Sequence, residues 1–210
     1  MWPDWKGETV AIVGAGPSAK KNNLALLKNI RVLAIKKSFE LVPFAEVVYG
    51  CDGPWWRSVQ GLPNFKGLKL SYDDRVVGVE FGINKVKIPD IKCDRMLFDE
   101  IGTVGAGGNS GFQSLNLVLQ FGAVRVLLIG FDAFGSYGKE HWYGRNTAWA
   151  MNNPDEYNYV RWRKAMTGVA DDISSRGVEV VNTSQDSTIK CFKKMSIEEA
   201  LSHWGLKVAA

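Results

Sequence analysis

Short apolar runs separated by polar, helix-compatible stretches organise this chain. The runs are Thr9–Val13, Arg31–Ile35, Glu46–Tyr49, Leu68–Ser71, Val76–Val79, Val124–Ile129 and Val178–Val181. They are rich in β-branched residues, and their length predicts strands. Val10–Val13 lacks polar alternation and reads as a strand buried on both faces. Four helices are predicted between and after them. Lys20–Lys28 follows the first strand. Ser110–Phe121 places Phe112, Leu115, Val118 and Leu119 on one face. Asp155–Ser175 repeats Tyr159, Trp162, Ala165, Met166, Val169 and Ile173 near a 3.6-residue period. Ser196–Ser202 opens with Ser196 and Glu199 at capping-box spacing.

Strands alternating with helices predict an α/β fold, a single Rossmann-like, doubly wound and mainly parallel sheet with helices on both faces. Residues 1–210 then form one nucleotide-binding unit. Residues 132–158, rich in Gly, Asn, Tyr and Trp, interrupt the pattern and read as an active-site loop insertion. Residues 51–67 read as loops with a short helix.

The first predicted strand ends in Gly14-Ala15-Gly16-Pro17-Ser18-Ala19, which matches the G-x-G-x-x-A turn of dinucleotide sites. A strand, a glycine turn and a helix N-terminus can expose backbone N–H groups to a phosphate. NAD enzymes place an acidic residue at the end of the second strand. Here Lys36 and Lys37 stand there, which argues against NAD and is compatible with NADP or another nucleotide whose phosphates need positive charge. A tight strand–helix turn with no ligand is the alternative.

Gly105-Ala106-Gly107-Gly108-Asn109-Ser110-Gly111 precedes the second predicted helix, with Asn109 or Ser110 as its N-cap. In a parallel sheet this N-terminus would face the same edge as Gly14–Ser18. Asp132 follows the Val124–Ile129 strand, where it could hold a ribose, a metal or an acceptor hydroxyl, or simply cap its loop. His141 lies in the polar, aromatic run Lys139–Asn146 and is a candidate general base. Tyr143 and Arg145 are candidates for holding a leaving-group phosphate. His203 looks incidental.

Composition narrows the class. The 210 residues are 46% hydrophobic and 23% charged, those of an ordinary globular protein, and no apolar run reaches a membrane span's length of ~20 residues. The start of the chain has no apolar leader segment, and Cys51, Cys93 and Cys191 lack metal-ligand or disulfide spacing; a cytoplasmic location with free thiols is expected. A net charge of +4 suits an anionic ligand but does not by itself argue for nucleic acid. Eight tryptophans include five in polar surroundings, Trp55, Trp56, Trp142, Trp149 and Trp162, able to stack on a base or sugar or to sit in the core. Exposed tryptophans and short apolar strands also allow a homo-oligomer.

The order Val-Gly-Ala-Gly-Pro-Ser, Asn-Ser-Gly, Ile-Gly-Phe-Asp and His-Trp-Tyr-Gly, spread over residues 8–192, resembles the bacterial sialyltransferases of glycosyltransferase family 42. It also resembles the wider superfamily of hydroxymethylpterin diphosphokinase-like and prophage proteins. The resemblance implies that Gly14, Ala15, Gly16, Pro17 and Ser18 contact a cytidine nucleotide, that Asn109, Ser110 and Gly111 hold its ribose and base, and that His141 is the general base. The family usually has Asn where Ala15 stands, and an Asn within the polar pair occupied here by Lys36 and Lys37.

The function expected is a nucleotide-dependent transferase. Its leading form is a metal-independent glycosyltransferase with a CMP-type sugar-nucleotide donor, no Asp-x-Asp metal motif being present. No tightly bound cofactor is expected. The alternative is an ATP- and Mg²⁺-dependent phosphoryl or pyrophosphoryl transferase, with Asp132 or Asp52 on the metal. Two further alternatives are a non-catalytic nucleotide-binding phage protein and a phage transferase acting on DNA.

Overall fold

A computed structural model describes residues 1–135, 139–147 and 151–207 of the chain. Its strands are β1 (Thr9–Val13), β2 (Arg31–Ile35), β3 (Val47–Tyr49), β4 (Leu68–Ser71), β5 (Asn84–Lys85), β6 (Arg125–Ile129), β7 (Glu179–Asn182) and β8 (Lys193–Lys194). Its α-helices are α1 (Gly53–Ser58), α2 (Ser110–Gln120), α3 (Glu156–Ser175) and α4 (Ile197–His203). All eight strands lie in one parallel sheet of order β5-β4-β3-β2-β1-β6-β7-β8. This is the expected α/β Rossmann-like architecture.

The period-2 geometry of the strands explains why the apolar runs are continuous. Val10, Ile12, Leu33 and Val126 point to one face of the sheet and pack against Phe112 and Leu115 of α2 and Met166 and Val169 of α3. Ala11, Val13, Val32 and Leu127 point to the other, against Trp55 and Trp56 of α1 and Ile197 and Leu201 of α4. Both faces are covered, so neither tolerates polar alternation.

α2 is buried from Ser110 to Leu119, and its polar residues are brackets for the long segment before it. Asn116 Oδ1 accepts from the N–H of Leu97 at 2.9 Å and of Gly105 at 3.0 Å. Gln120 Nε2 donates to the carbonyls of Leu97 and Thr103. α3 and α4 begin with full capping boxes, on Asp155/Asn158 and on Ser196/Glu199 as expected.

Two expected elements are corrected. Val76–Val79 is not a strand. Gly78 takes φ +130° and forms an isolated antiparallel bridge with Ile83, leaving Val79 fully exposed. Lys20–Lys28 is not an α-helix. Two 3₁₀ segments, Pro17–Lys21 and Leu24–Asn29, flank an extended Asn22. β5 and β8 carry two residues each, too short for any periodic signal.

Strand order reverses between β1 and β6. β1 continues toward β2 on one side, whereas the chain crosses over to place β6 on the other. The carboxyl ends of these two strands are therefore the topological switch point, where open α/β sheets bind ligands.

Among the described residues no helix is long and apolar enough to cross a membrane.

Candidate functional site

A cleft of about 290 Å³ opens at this switch point. Gly14, Ala15 and Gly16 from the end of β1, Lys36 from the end of β2, Asn109, Ser110 and Gly111 from the start of α2, Asp132 after β6, and His141 and Tyr143 from the following loop all line it. Segments up to 175 positions apart in sequence, Gly14 and Ile189, thus share one wall system. Pro17, Ser18, Lys37 and Arg145 are not among the lining residues.

Of the N–H groups of the glycine turn, only that of Ala15 has no acceptor among the described residues; the others are engaged inside the protein. Gly14 N–H donates to Ile129 O at 2.7 Å, and Gly16 N–H to Gly130 O at 3.0 Å. Ser18 donates to Asp132 Oδ2 from both its N–H, at 3.3 Å, and its hydroxyl, at 3.0 Å. Pro17 has no N–H. The turn is a strap tying β1 to β6, and its anion is the protein's own Asp132. Gly16 has ordinary extended dihedrals; it must be Gly because a Cβ would run into the Asp132 carboxylate and into Gly130 O. Burial outweighs the Ser18 bonds and raises the Asp132 pKa.

Positive charge enters the cleft elsewhere. Lys36 sits at φ +48°, a left-handed conformation uncommon for a non-glycine residue. This bend turns it inward to pair with Asp52, while Lys37 lies over the Tyr143 ring at 5.1 Å from its centroid. Burial alone would lower the Lys36 pKa, but the Asp52 charge more than offsets it, and the pKa is raised. Asp52 is lowered: burial opposes ionisation, and Lys36 outweighs it. Ser110 Oγ donates to Cys51 Sγ at 3.1 Å, and burial together with Asp52 pushes the Cys51 thiol up to about 12.

Asn109 is the N-cap of α2. Its Oδ1 accepts from Phe112 N–H at 2.9 Å and its Nδ2 donates to Gly107 O at 3.1 Å. Its side chain is therefore engaged in the helix start. The N–H groups of Ser110 and Gly111 have no acceptor among the described residues and lie at the cleft wall. They, Lys36 and the equally unpartnered N–H of Ala15 are positive groups available to an anion. Replacing Asn109 by Ala is expected to cost about 1 kcal/mol of stability through the lost cap. Urea denaturation reads this; an unchanged midpoint would refute the capping role.

The aromatic loop is bound to the strap. Trp142 N–H donates to Ala15 O at 2.9 Å. Trp142 Nε1 donates to Ser38 Oγ at 3.2 Å, and Ser38 Oγ donates to Gly14 O at 2.8 Å. His141 stacks on Tyr143, and Asn146 holds both. Asn146 Nδ2 donates to His141 Nε2 at 3.2 Å and its Oδ1 accepts from the Tyr143 hydroxyl at 3.1 Å. Burial first, then the Lys36 charge, lowers the His141 pKa to about 4. Arg145, expected to face a phosphate, pairs instead with Glu140 at 3.0 Å.

The depressed His141 pKa has a consequence for stability. Unfolded His titrates near ~6.5. Between about 4 and that value the unfolded chain binds the extra proton and the folded one does not. Stability therefore falls as pH drops through this window and levels off below about 4. His141→Gln is expected to flatten that part of a stability-versus-pH curve; an unaltered slope would contradict it.

Tryptophan placement narrows the stacking candidates. Trp55 and Trp56 are core residues, Trp142 is covered by Lys20, and Trp149 lies outside the described residues. Trp162 lines the cleft, its Nε1 donating to Gly108 O at 2.9 Å. The sequence reading missed Cys51, Glu140, Asn146 and the buried, unpartnered hydroxyl of Tyr159. The last was read only as part of the apolar stripe of α3, which its buried ring also serves.

Comparison with family models, with curated proteins and with solved structures finds no match to this chain.

Proposed function

We propose that the cleft is the active site of a nucleotide-dependent transferase, a glycosyltransferase using a sugar-nucleotide donor. The observation that carries this reading is the convergence at the switch point of Lys36, two unpartnered N–H groups of α2, and the His141–Tyr143 pair. Donor phosphate lies against Ser110 N–H, Gly111 N–H and Lys36 rather than on Gly14–Ser18. Trp162 and Phe131 offer apolar surface to the nucleoside. The resemblance to family 42 sialyltransferases supports a CMP-type donor, and Lys36 adds phosphate contact within the polar pair where that family usually includes an Asn.

In the transfer, the acceptor hydroxyl gives its proton to His141 Nε2, displacing the Asn146 amide. The acceptor oxygen bonds to the anomeric carbon as the bond from that carbon to the donor phosphate breaks. The electron pair leaves with the phosphate, stabilised by Lys36 and the α2 N–H groups. With His141 at about 4, the acid limb of the rate profile falls near that value, well below an ordinary imidazole.

The phosphoryl-transfer alternative needs carboxylates for Mg²⁺. Asp52 is paired with Lys36 and Asp132 accepts from Ser18, so both candidates already have partners. A thermal-shift screen against CMP, CDP, UDP, GDP, NADP and ATP, with and without Mg²⁺, separates the readings. A ligand at 100 times its Kd stabilises by about 2.7 kcal/mol. A shift with CMP or CDP that does not need Mg²⁺ is expected. A shift with ATP only when Mg²⁺ is added, or none with any nucleotide, would overturn the proposal; a shift with no turnover would leave a binding protein.

A further inference from the structure

Two polar atoms of the cleft have no role in the transfer described above. Tyr159 is 4% exposed and Glu140 7%, and both line the cleft. Among the described residues nothing bonds the Tyr159 hydroxyl or Glu140 Oε2. Buried polar groups are nearly always paired, and an exception needs a physical reason. Glu140 Oε1 accepts from Arg145 Nη1 at 3.0 Å, which fixes the carboxylate and leaves its second oxygen over. The two residues are neighbours: a Cβ built on Gly135 would lie 2.5 Å from Tyr159 Oη and 3.2 Å from Glu140 Cα. The Tyr159 ring stands edge-on to Trp162 at 5.3 Å, so the phenol is held in place.

We propose that this end of the cleft is a subsite for a hydroxyl group of a sugar or other polyol. Tyr159 donates to the hydroxyl oxygen, and Glu140 Oε2 accepts the hydroxyl proton. A hydroxyl meets both demands, because it accepts and donates at one atom, whereas a fully charged cation or anion meets only one. An ammonium would satisfy Glu140 and leave the phenol proton without an acceptor. A phosphate or carboxylate would meet Glu140, with Asp132, Asp155 and Glu156 close enough to raise the Tyr159 pKa further. Burial and those carboxylates push it to about 12, so the phenol stays a donor. That the polyol is the acceptor of the transfer rests on the reading above; the subsite itself does not.

Saturation-transfer NMR tests this with glycerol, methyl β-galactoside and methyl α-glucoside as polyol probes, and with butylamine as a cation control. Saturation of at least one polyol, and not of butylamine, is expected. Tyr159→Phe is expected to bind that polyol about tenfold more weakly, the size of one hydrogen bond. Its melting temperature should be unchanged or higher, because it loses an unpaired buried hydroxyl. Gly135→Ala, whose methyl would come within 2.5 Å of Tyr159 Oη and push the phenol aside, should weaken binding with every polar group kept. No saturation of any polyol, butylamine binding in their place, or full-strength binding by Tyr159→Phe would overturn the subsite. The nucleotide screen on the unaltered protein reads the other end of the cleft. Polyol binding without any nucleotide response sinks the transferase reading alone, and nucleotide response without polyol binding sinks the subsite alone.

Discussion

Lys36→Met is expected to weaken nucleotide binding by roughly ten- to a hundredfold, the loss of one charge-assisted contact of about 1.5–3 kcal/mol. The position after β2 holds this side chain in the cleft at φ +48°, and Met inherits the same backbone strain, so the comparison isolates the charge. The side chain of Asp52 remains 46% exposed, so solvent can take over its carboxylate in the variant and the fold should survive. Asp52→Asn is expected to act in the opposite direction. It frees Lys36 from its partner, and the nucleotide should bind more tightly. Calorimetric titration with the nucleotide giving the largest thermal shift reads both, at two salt concentrations. The unaltered protein should lose affinity as salt rises, and Lys36→Met should lose less. Equal affinity and equal salt dependence in Lys36→Met would remove Lys36 from the phosphate site.

The parallel core was legible because burial on both faces demands continuous apolar runs, and β1, β2 and β4 begin and end where those runs do. The same signal failed at Val76–Val79, where β-branched residues sit in a turn fixed by Gly78. It also failed on β5 and β8, where two residues pair at the sheet edge with no apolar run to announce them. Lys20–Lys28 has residues compatible with a helix, but Ser18 and Asn22 bond locally, with Asn22 Nδ2 donating to Ser18 O at 2.9 Å, and break it into 3₁₀ segments.

The site was legible as a place and much less as a set of roles. Loops after β1, β2 and β6 and the start of α2 must meet at one sheet edge, so Gly14, Lys36, Asn109 and Asp132 could be named together. Which atom bonds which could not be. G-x-G-x-x-A fits a phosphate turn or a strap equally well, and the choice is made by a carboxylate 114 residues away from Ser18. Likewise, Lys36 and Lys37 look equivalent in sequence; one φ angle sends the first into the cleft and the second onto an aromatic ring. Tyr159 keeps the helical period of α3 while its hydroxyl breaks the apolar rule, and a residue-type pattern cannot separate the two ends of one side chain.

Gly16→Ala separates the strap from the phosphate turn most sharply. In a dinucleotide turn the glycine leaves room for a pyrophosphate, and an added methyl would cost ligand affinity while the empty protein stayed stable. Here the room is already filled. A Cβ would collide with the Asp132 carboxylate and lie 2.5 Å from Gly130 O, and the second is backbone that cannot swing away. Gly130 is itself confined, at φ +71° and with its own Cβ position 2.8 Å from Gly14 O. Gly16→Ala is therefore expected to cost about 3 kcal/mol without any ligand, the upper end of what overpacking does. That is a large share of a typical domain's stability. Gly14→Ala, whose Cβ would lie 3.0 Å from Gly130 O and 3.2 Å from the Phe131 ring, should cost less. Gly16→Ala combined with Asp132→Ala should recover only part of the loss, because the Gly130 carbonyl stays where it is. Urea denaturation of the free protein measures all three. If Gly16→Ala melts within about 0.5 kcal/mol of the unaltered chain, the margin of an ordinary surface change, then the strap yields to a methyl and the space belongs to a ligand after all.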